Sequence, residues 1–455
     1  MKSLPPYGNR GGPAGGEMQR LNIALTVLLA IFMAAQAGVF AAQPPTETVP
    51  RPPVFDPEAP PETRFRLAPF LTFGAEVELE FEFEQNFDLD DAEHDDLAIL
   101  TPELSLAFSF DPSRYFRAFV NFELLKDVAL AEPETRERPV ILRLTQAYVS
   151  FRELADGRLS LQLGRQRFDD EREWLYDEEL DAVRVFYRWS DLSLEASVSR
   201  RDLVKRNLFN GQDLERINNY LLYGTYALTK DADIAAYALL RDDRSPDRER
   251  PIFFGLHSSG EIIDDFDYWL ELAHVRGRDG SRKIRGIGFD LGASYQSDLP
   301  WRPAVTVGYA FGSGDTDRRG RVDRSFRQTG LQENEDRFQG VTSFKYYGEL
   351  FDPALSNLQI FTAGIGIRPT RRSSIDLVYH YYLQHKASED IRDAEIEADP
   401  SGRSKRLGSE IDLIIGYEEL RNVEMKLALG YFIPGKAFPK ADNAFFTGLE
   451  VEINF

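Results

Sequence analysis

The sequence predicts an all-β fold, a transmembrane, antiparallel up-and-down β-barrel of about 18 strands. Three observations predict it. Hydrophobicity alternates with a period of two from about residue 65 to the last residue. The connections between the alternating runs switch between short and long along much of the chain. The final segment is apolar at every second position, Leu449, Val451, Ile453 and Phe455, as a closing barrel strand is. A soluble sandwich would share the first feature, so the other two decide between them.

In chain order, the first element is a leader. Lys2, Arg10 and Arg20 precede an apolar stretch from Leu21 to Ala42, with small residues at its end. That is the pattern of a secretory signal peptide over residues 1–42, with an uncleaved anchor helix as the alternative. Residues 43–64 hold eight prolines and read as an extended linker, since proline cannot donate to a regular backbone ladder. The barrel occupies residues 65–455.

Its first strand is the plainest. In Glu76–Glu84 (EVELEFEFE), glutamates alternate with Val77, Leu79, Phe81 and Phe83. A helix would scatter both classes around its circumference, whereas a strand places every carboxylate on one face. The pattern returns at Leu104/Leu106/Phe108, Phe116/Ala118/Val120, Leu192/Leu194/Ala196, Ile287/Phe289/Leu291, Ile375/Leu377/Tyr379, Ile411/Leu413/Ile415 and Met425/Leu427/Leu429. Opposite faces are polar or small. Short connections are expected near 111–113, 189–191, 229–231 and 418–421. Long charged ones are expected near 86–96, 126–139, 201–216, 242–250, 312–328 and 386–405. The count is 18 to 20 strands, with 326–370 the ambiguous stretch. That many strands leave an aqueous lumen, so the architecture implies a pore.

Composition narrows the chemistry. The chain has no cysteine, which excludes disulfides, thiolate metal sites and a thiol nucleophile. Its formal charge is −21, from 54 basic and 75 acidic residues, so a nucleic-acid partner is not expected. A mean hydropathy of −0.38 excludes a helical membrane protein and leaves a β-barrel open.

Several segments resemble the alginate-export family of outer-membrane barrels. They are Leu163–Asp177 (LGRQRFDDEREWLYD), Gln328–Phe338 (QTGLQENEDRF), Tyr347–Leu358 (YGELFDPALSNL), Leu377–Tyr382 (LVYHYY), Leu407–Tyr417 (LGSEIDLIIGY) and Gly430–Pro439 (GYFIPGKAFP). The resemblance implies an 18-stranded barrel whose narrowest section is lined by arginines and lysines that draw a polyuronate through. Fixed cations offset the desolvation of a polyanion, and interspersed carboxylates keep capture weak enough for release.

Residue by residue, Arg165 and Arg167 fall on the GRQR arginines, Asp177 on an acidic partner, and Lys426 on a basic lumen position. Alternation after Leu159, Leu161 and Leu163 would put both arginines on the lipid side, so a bulge or turn at Gly164 is expected to redirect them inward. The alternative is that both sit in a loop. Lys426 alternates against Met425 and Leu427 and faces the lumen directly. The chain departs from the family in having Thr145-Gln146 and Ala428 at positions where charged residues are common. Arg184, Arg117 and Arg188 share the polar parity of their strands and are candidate lumen cations, with Arg143 in a strand of unclear alternation.

Other signals are set aside. His380 near Asp376 lacks a serine motif of any specificity. The acidic loop Asp88–Asp96 lacks the glycine and ligand order of a calcium loop. Arg318, Arg319, Arg321 and Arg324 form a basic cluster in an external loop. No enzyme activity, cofactor or metal is expected. The expected partners are an anionic polysaccharide, outer-membrane lipid and lipopolysaccharide, and a periplasmic secretion scaffold, around a monomeric barrel. A porin for uptake of acidic oligosaccharides is the alternative, because a passive pore has no intrinsic direction.

Overall fold

The computed structural model describes residues 63–92, 96–132, 136–205, 207–209, 216–245, 248–317 and 320–455. The expected signal peptide, nearly all of the expected linker, His94, Arg318 and Arg319 lie outside the described residues.

Eighteen antiparallel strands close into one barrel. They are β1 (Leu71–Gln85), β2 (Leu97–Ser113), β3 (Phe116–Leu125), β4 (Ile141–Glu153), β5 (Leu159–Asp169), β6 (Asp177–Trp189), β7 (Leu192–Arg200), β8 (Ile217–Ala227) and β9 (Ala232–Asp243). The circuit continues through β10 (Glu249–Ile263), β11 (Phe266–Asp279), β12 (Arg282–Gln296), β13 (Ala304–Gly312), β14 (Leu358–Thr370), β15 (Ser373–Gln384), β16 (Arg406–Tyr417), β17 (Val423–Pro434) and β18 (Ala444–Asn454). Each strand pairs with the next, and β18 closes on β1 from Glu76↔Asn454 to Gln85↔Phe445. Closure leaves no exposed edge, which a membrane-spanning sheet requires.

The period of two sorts the faces as the sequence indicates. On β12, Ile287 is 57 % and Leu291 42 % exposed toward lipid, while Asp290 between them is 3 % exposed on the inner face. Trp189, Trp301, Phe65 and Phe70 are exposed at the end of the short turns, as an aromatic girdle at one membrane interface is.

The short and long connections fall at opposite ends. The first short turn is Arg114-Tyr115, just beyond the expected 111–113, because β2 runs on through Ser113. The clearest exception is the β11–β12 connection, Gly280-Ser281 at the long-loop end, where Gly280 takes a φ of 54° and makes a two-residue turn possible.

The ambiguous stretch resolves into one connection, 313–357: Val322–Asp323 pairs with Lys283–Ile284 at the long-loop end, and the chain from Phe326 onward folds into the lumen. It carries a two-residue ribbon, Glu335–Asp336 against Phe344–Lys345, and a cluster of buried apolar residues including Phe326, Leu331, Phe344, Leu350, Phe351 and Leu355. These pack on inward residues of the wall, with Phe338 stacked on Trp269 at 5.8 Å and Phe351 on Phe432 at 5.3 Å. The expectation of an open aqueous lumen is therefore corrected: part of it is a packed core. Apolar residues at inward positions, such as Val275, Ile360 and Phe432, make that packing favourable at roughly 1.5–3 kcal/mol for each large side chain buried.

Candidate functional site: an inward-folded hairpin in the lumen

The β5–β6 hairpin leaves the wall halfway up. β4 pairs with β5 only from Phe151↔Leu161 to Ala147↔Arg165. β6 pairs with β7 only from Trp189↔Leu192 to Asp181↔Arg200. Beyond Arg165 and Asp181 the two strands pair, as strands, only with each other, through Asp169↔Asp177. The detached half turns into the lumen and docks on the 313–357 segment. Trp174 Nε1 donates to the Tyr347 hydroxyl at 3.1 Å, Gln328 Nε2 to the Trp174 carbonyl at 3.4 Å, and the Asp177 N–H to the Leu331 carbonyl at 2.6 Å. Arg172 is 3 % exposed, pairs with Asp336 at 2.6 Å and Asp290 at 3.5 Å, and lies over the rings of Trp269 (4.4 Å) and Tyr346 (4.2 Å). A second anchor ties Glu171 to the Ser259 hydroxyl, which neighbours His257 and, behind it, Glu271.

No bulge interrupts β5: its registers with β4 and β6 run through Gly164 without a shift. Gly164 takes a φ of 125°, and a Cβ there would strike the Ala147 carbonyl, so the glycine is the twist point below the departure. What redirects the residues beyond it is the detachment itself, and its result differs for the two arginines.

Arg165 sits at the pivot, 2 % exposed. It forks onto Asp181 (Nε–Oδ1 3.1 Å, Nη2–Oδ2 2.9 Å), donates to the Leu144 carbonyl at 2.9 Å and to the Val204 carbonyl, and has Asp202 3.5 Å away. The segment after β7 fills the opening left in the wall, with the Leu208 N–H donating to the Leu142 carbonyl at 2.8 Å. The expectation that Arg165 lines the pore is thus not met by its placement.

Arg167 is in the lumen, with half of its side chain exposed. Its Nε donates to Asp177 Oδ1 at 2.8 Å and its Nη2 lies 3.7 Å from Glu173 Oε1. Across the same space, Lys426 on β17 points inward, 3.2 Å from Glu335 and 3.7 Å from Glu349. Glu173, Glu335 and Lys426 line one cavity of about 520 Å³. Burial would raise the Glu335 carboxyl, but Lys426 and Lys345 hold it below its ordinary value. Burial, reinforced by Asp177 and Glu335, pushes the Glu173 carboxyl up to about 8 in spite of Arg167.

The structure places the other candidates apart from this cavity. Arg184 is 1 % exposed, forked onto Glu195 (2.8 and 3.0 Å) and stacked 3.8 Å over the Phe168 ring. Arg117 is buried 2.8 Å from Asp111, which Arg152 shares at 3.0 Å. Arg143 faces the lumen opposite Glu123, because a register shift at Thr145 resets the alternation of β4. Arg188 lies half-buried on the inward parity at the short-turn end.

The cavity is acidic overall. Arg337 and Lys426 face eight lining carboxylates, among them Glu424, Glu450 and Glu452, and the glutamates of β1 stand beside them. The cavity is therefore not uniformly positive. Sequence reasoning missed Arg172 and Glu410 as anchors of the lumenal core. Arg172, set in the acidic run Asp169–Glu173, carried no local signal, whereas Glu410 was visible as a glutamate on the inward face of an apolar strand.

Comparison with known proteins agrees with this architecture. Alginate production protein AlgE of Pseudomonas aeruginosa is 34 % identical over 138 residues, 30 % of this chain and 27 % of that protein. AlgE of Azotobacter vinelandii is 28 % identical over 171 residues, 33 % of this chain and 34 % of that protein. The matched segments thus span about a third or less of these relatives. Among solved structures, Pseudomonas aeruginosa OpdO superposes with a TM-score of 0.57 at 13 % identity, over 85 % of this chain and 97 % of that one. OccK5 (OpdH) of the same organism gives 0.55 at 13 %, over 84 % and 98 %, a likeness of fold alone. The family model for alginate export matches residues 70–449, nearly the whole barrel, and the chain belongs to the alginate export family of outer-membrane β-barrels.

Proposed function

We propose that this barrel is a passive, non-enzymatic pore through which an anionic exopolysaccharide, alginate, leaves the cell. Membership of the family supports the substrate class. The observation that carries the mechanism is the inward hairpin, which sets Arg167 3.7 Å from Glu173, a lining residue of the cavity that Lys426 also lines. A planar guanidinium grips a carboxylate by two parallel bonds. Asp177 already occupies one side of Arg167, so a uronate exchanges for part of an existing pair and leaves again readily. The acidic opposite wall prevents a polyanion from adhering along the whole lumen. The barrel works as a monomer, with lipopolysaccharide around it and a periplasmic scaffold feeding it.

Block of single pores by oligouronate in a planar bilayer tests this reading. Arg167→Ala should weaken block, and Asp177→Ala should tighten it and lengthen each event. Each change should be on the order of 1–3 kcal/mol, the size of a charge-assisted hydrogen bond. Equal block constants for wild type and both folded variants would remove the pair from the site.

Glu173 adds a pH dependence. Its carboxyl, raised to about 8, is mostly neutral at pH 7 and ionises as the pH rises to 9. Ionisation puts a negative charge beside Arg167, so oligouronate block should weaken over that interval. Glu173→Gln should flatten this part of the profile, and a profile identical in the two proteins would exclude Glu173 as its source.

A further inference from the structure

The short turns mark the periplasmic end of the barrel, and arginines gather there on three segments. Arg302 lies on the β12–β13 turn, Arg368, Arg371 and Arg372 at the β14–β15 turn, and Arg337 on the lumenal 313–357 segment. The segments are bonded together: the Arg368 N–H donates to the Trp301 carbonyl at 2.6 Å, and the Val341 N–H to the Ser374 hydroxyl at 3.0 Å. Arg302 and Arg337 are near enough to act electrostatically on Arg368, and Glu418 feels Arg337, Arg372 and Arg368 together.

These cations differ from most of those of the lumen, Arg143 excepted. Arg117, Arg165, Arg167, Arg172, Arg184, Lys345 and Lys426 all hold carboxylates within ion-pair distance. Among the described residues, Arg337, Arg368, Arg371 and Arg372 hold none. Arg302 has Asp265 at 2.6 Å. The Arg368 Nε is buried without a hydrogen-bond partner, although its Nη2 reaches the Arg371 carbonyl at 3.1 Å. Acids also face these arginines: Glu418, Glu419, Asp265 and Asp376 at the turns, with Glu419 engaged by Thr370, and Asp336, Glu424, Glu450 and Glu452 in the cavity that Arg337 lines.

We propose that this periplasmic arginine patch is the capture site where a polyuronate chain is first held before it enters the lumen. This rests on the export reading above. The order of exposure suits a thin chain rather than a folded protein. Arg371 and Arg372 are exposed at the rim, Arg368 is half-buried behind them, and Arg337 lines the cavity inside the barrel, beyond the reach of a globular surface. Free cations at a mouth act chiefly on the rate of encounter.

The test is block of oriented single pores by oligouronate added to one side at a time, at about 0.1 M salt, where screening over 10 Å is incomplete. In Arg337→Gln/Arg368→Gln, periplasmic block events should become roughly tenfold rarer, with event duration and external-side block unchanged. Arg337→Lys/Arg368→Lys, which keeps both charges, should restore most of the frequency. Equal periplasmic event rates in wild type and the glutamine variant would overturn the capture site while leaving the pore reading intact. A wild-type pore blocked from neither side would overturn the export reading itself. An acidic peptide of equal charge captured better than the uronate would make the patch a protein-docking surface and overturn the inference.

Discussion

Arg165→Ala is expected to destabilise the folded barrel by about 3–5 kcal/mol, the size of breaking a buried ion pair by removing one partner. The substitution leaves Asp181, whose side chain is 10 % exposed, as a buried carboxylate that has lost its cation. It also strips donors from the Leu144 and Val204 carbonyls at the place where β4 and β5 separate. Asp181 accepts the Val204 N–H at 3.1 Å as well, so Val204, in the segment that seals the wall, loses one of its two bonds to the pair and keeps only that to the stranded carboxylate. The thermal loss of the compact gel band in detergent measures the effect. Arg165→Met/Asp181→Ala should lose less than the sum of the single changes, because no charge is left stranded. Arg167→Ala, two residues on, is the contrast: its exposed ion pair should change stability by no more than about 1 kcal/mol while altering block. Equal stability of the Arg165 and Arg167 variants would mean that the pivot is not held by this pair.

The difference between those two arginines shows what the sequence reveals and what it conceals. Both belong to the same four-residue motif and have the same strand parity, and parity alone assigns them one environment. Period two reports which face a residue occupies only while a strand remains in the wall. Beyond Arg165 both faces of the hairpin lie inside the barrel, with Phe168 in the core and Arg167 half-exposed beside Glu173. That departure depends on pairings with β4, β7 and the 313–357 segment, none of them local. The strands, their closure and the ends that carry long loops were legible because each depends on alternation over neighbouring residues. The lumenal core was not. Its apolar residues read as an uncertain strand region because a segment packed inside a barrel has no periodic face to match. Arg184 was legible as inward, but its burial against Glu195 was not, since Glu195 lies on the next strand and its register is set by the turn between them.

Glu410→Ala should release the lumenal segment and raise single-pore conductance. The Glu410 side chain is fully buried on β16, where its two oxygens accept the Leu350 N–H at 2.7 Å and the Phe351 N–H at 3.1 Å. The Tyr382 hydroxyl donates to the same carboxylate at 3.1 Å and lies 2.8 Å from the Tyr347 carbonyl. Removing the carboxylate leaves two backbone donors buried without acceptors, at about 1–3 kcal/mol each, so a total near 3–5 kcal/mol is expected against the docked state. The outer wall keeps its ladder and its lipid contacts, so the loss falls on the 313–357 segment rather than on barrel closure. Conductance should rise with larger open-state fluctuations, and protease added to the folded protein should cut within 313–357 where wild type is protected. Phe351→Ala, which empties the stack on Phe432, should act in the same direction by a comparable amount. Glu410→Gln retains one acceptor oxygen and should fall between wild type and alanine. If all three variants conduct and resist protease as wild type does, the segment is held by its apolar packing against many wall residues at once. A barrel that fails to form in Glu410→Ala alone would instead show that the lumenal segment closes the wall as well as filling it.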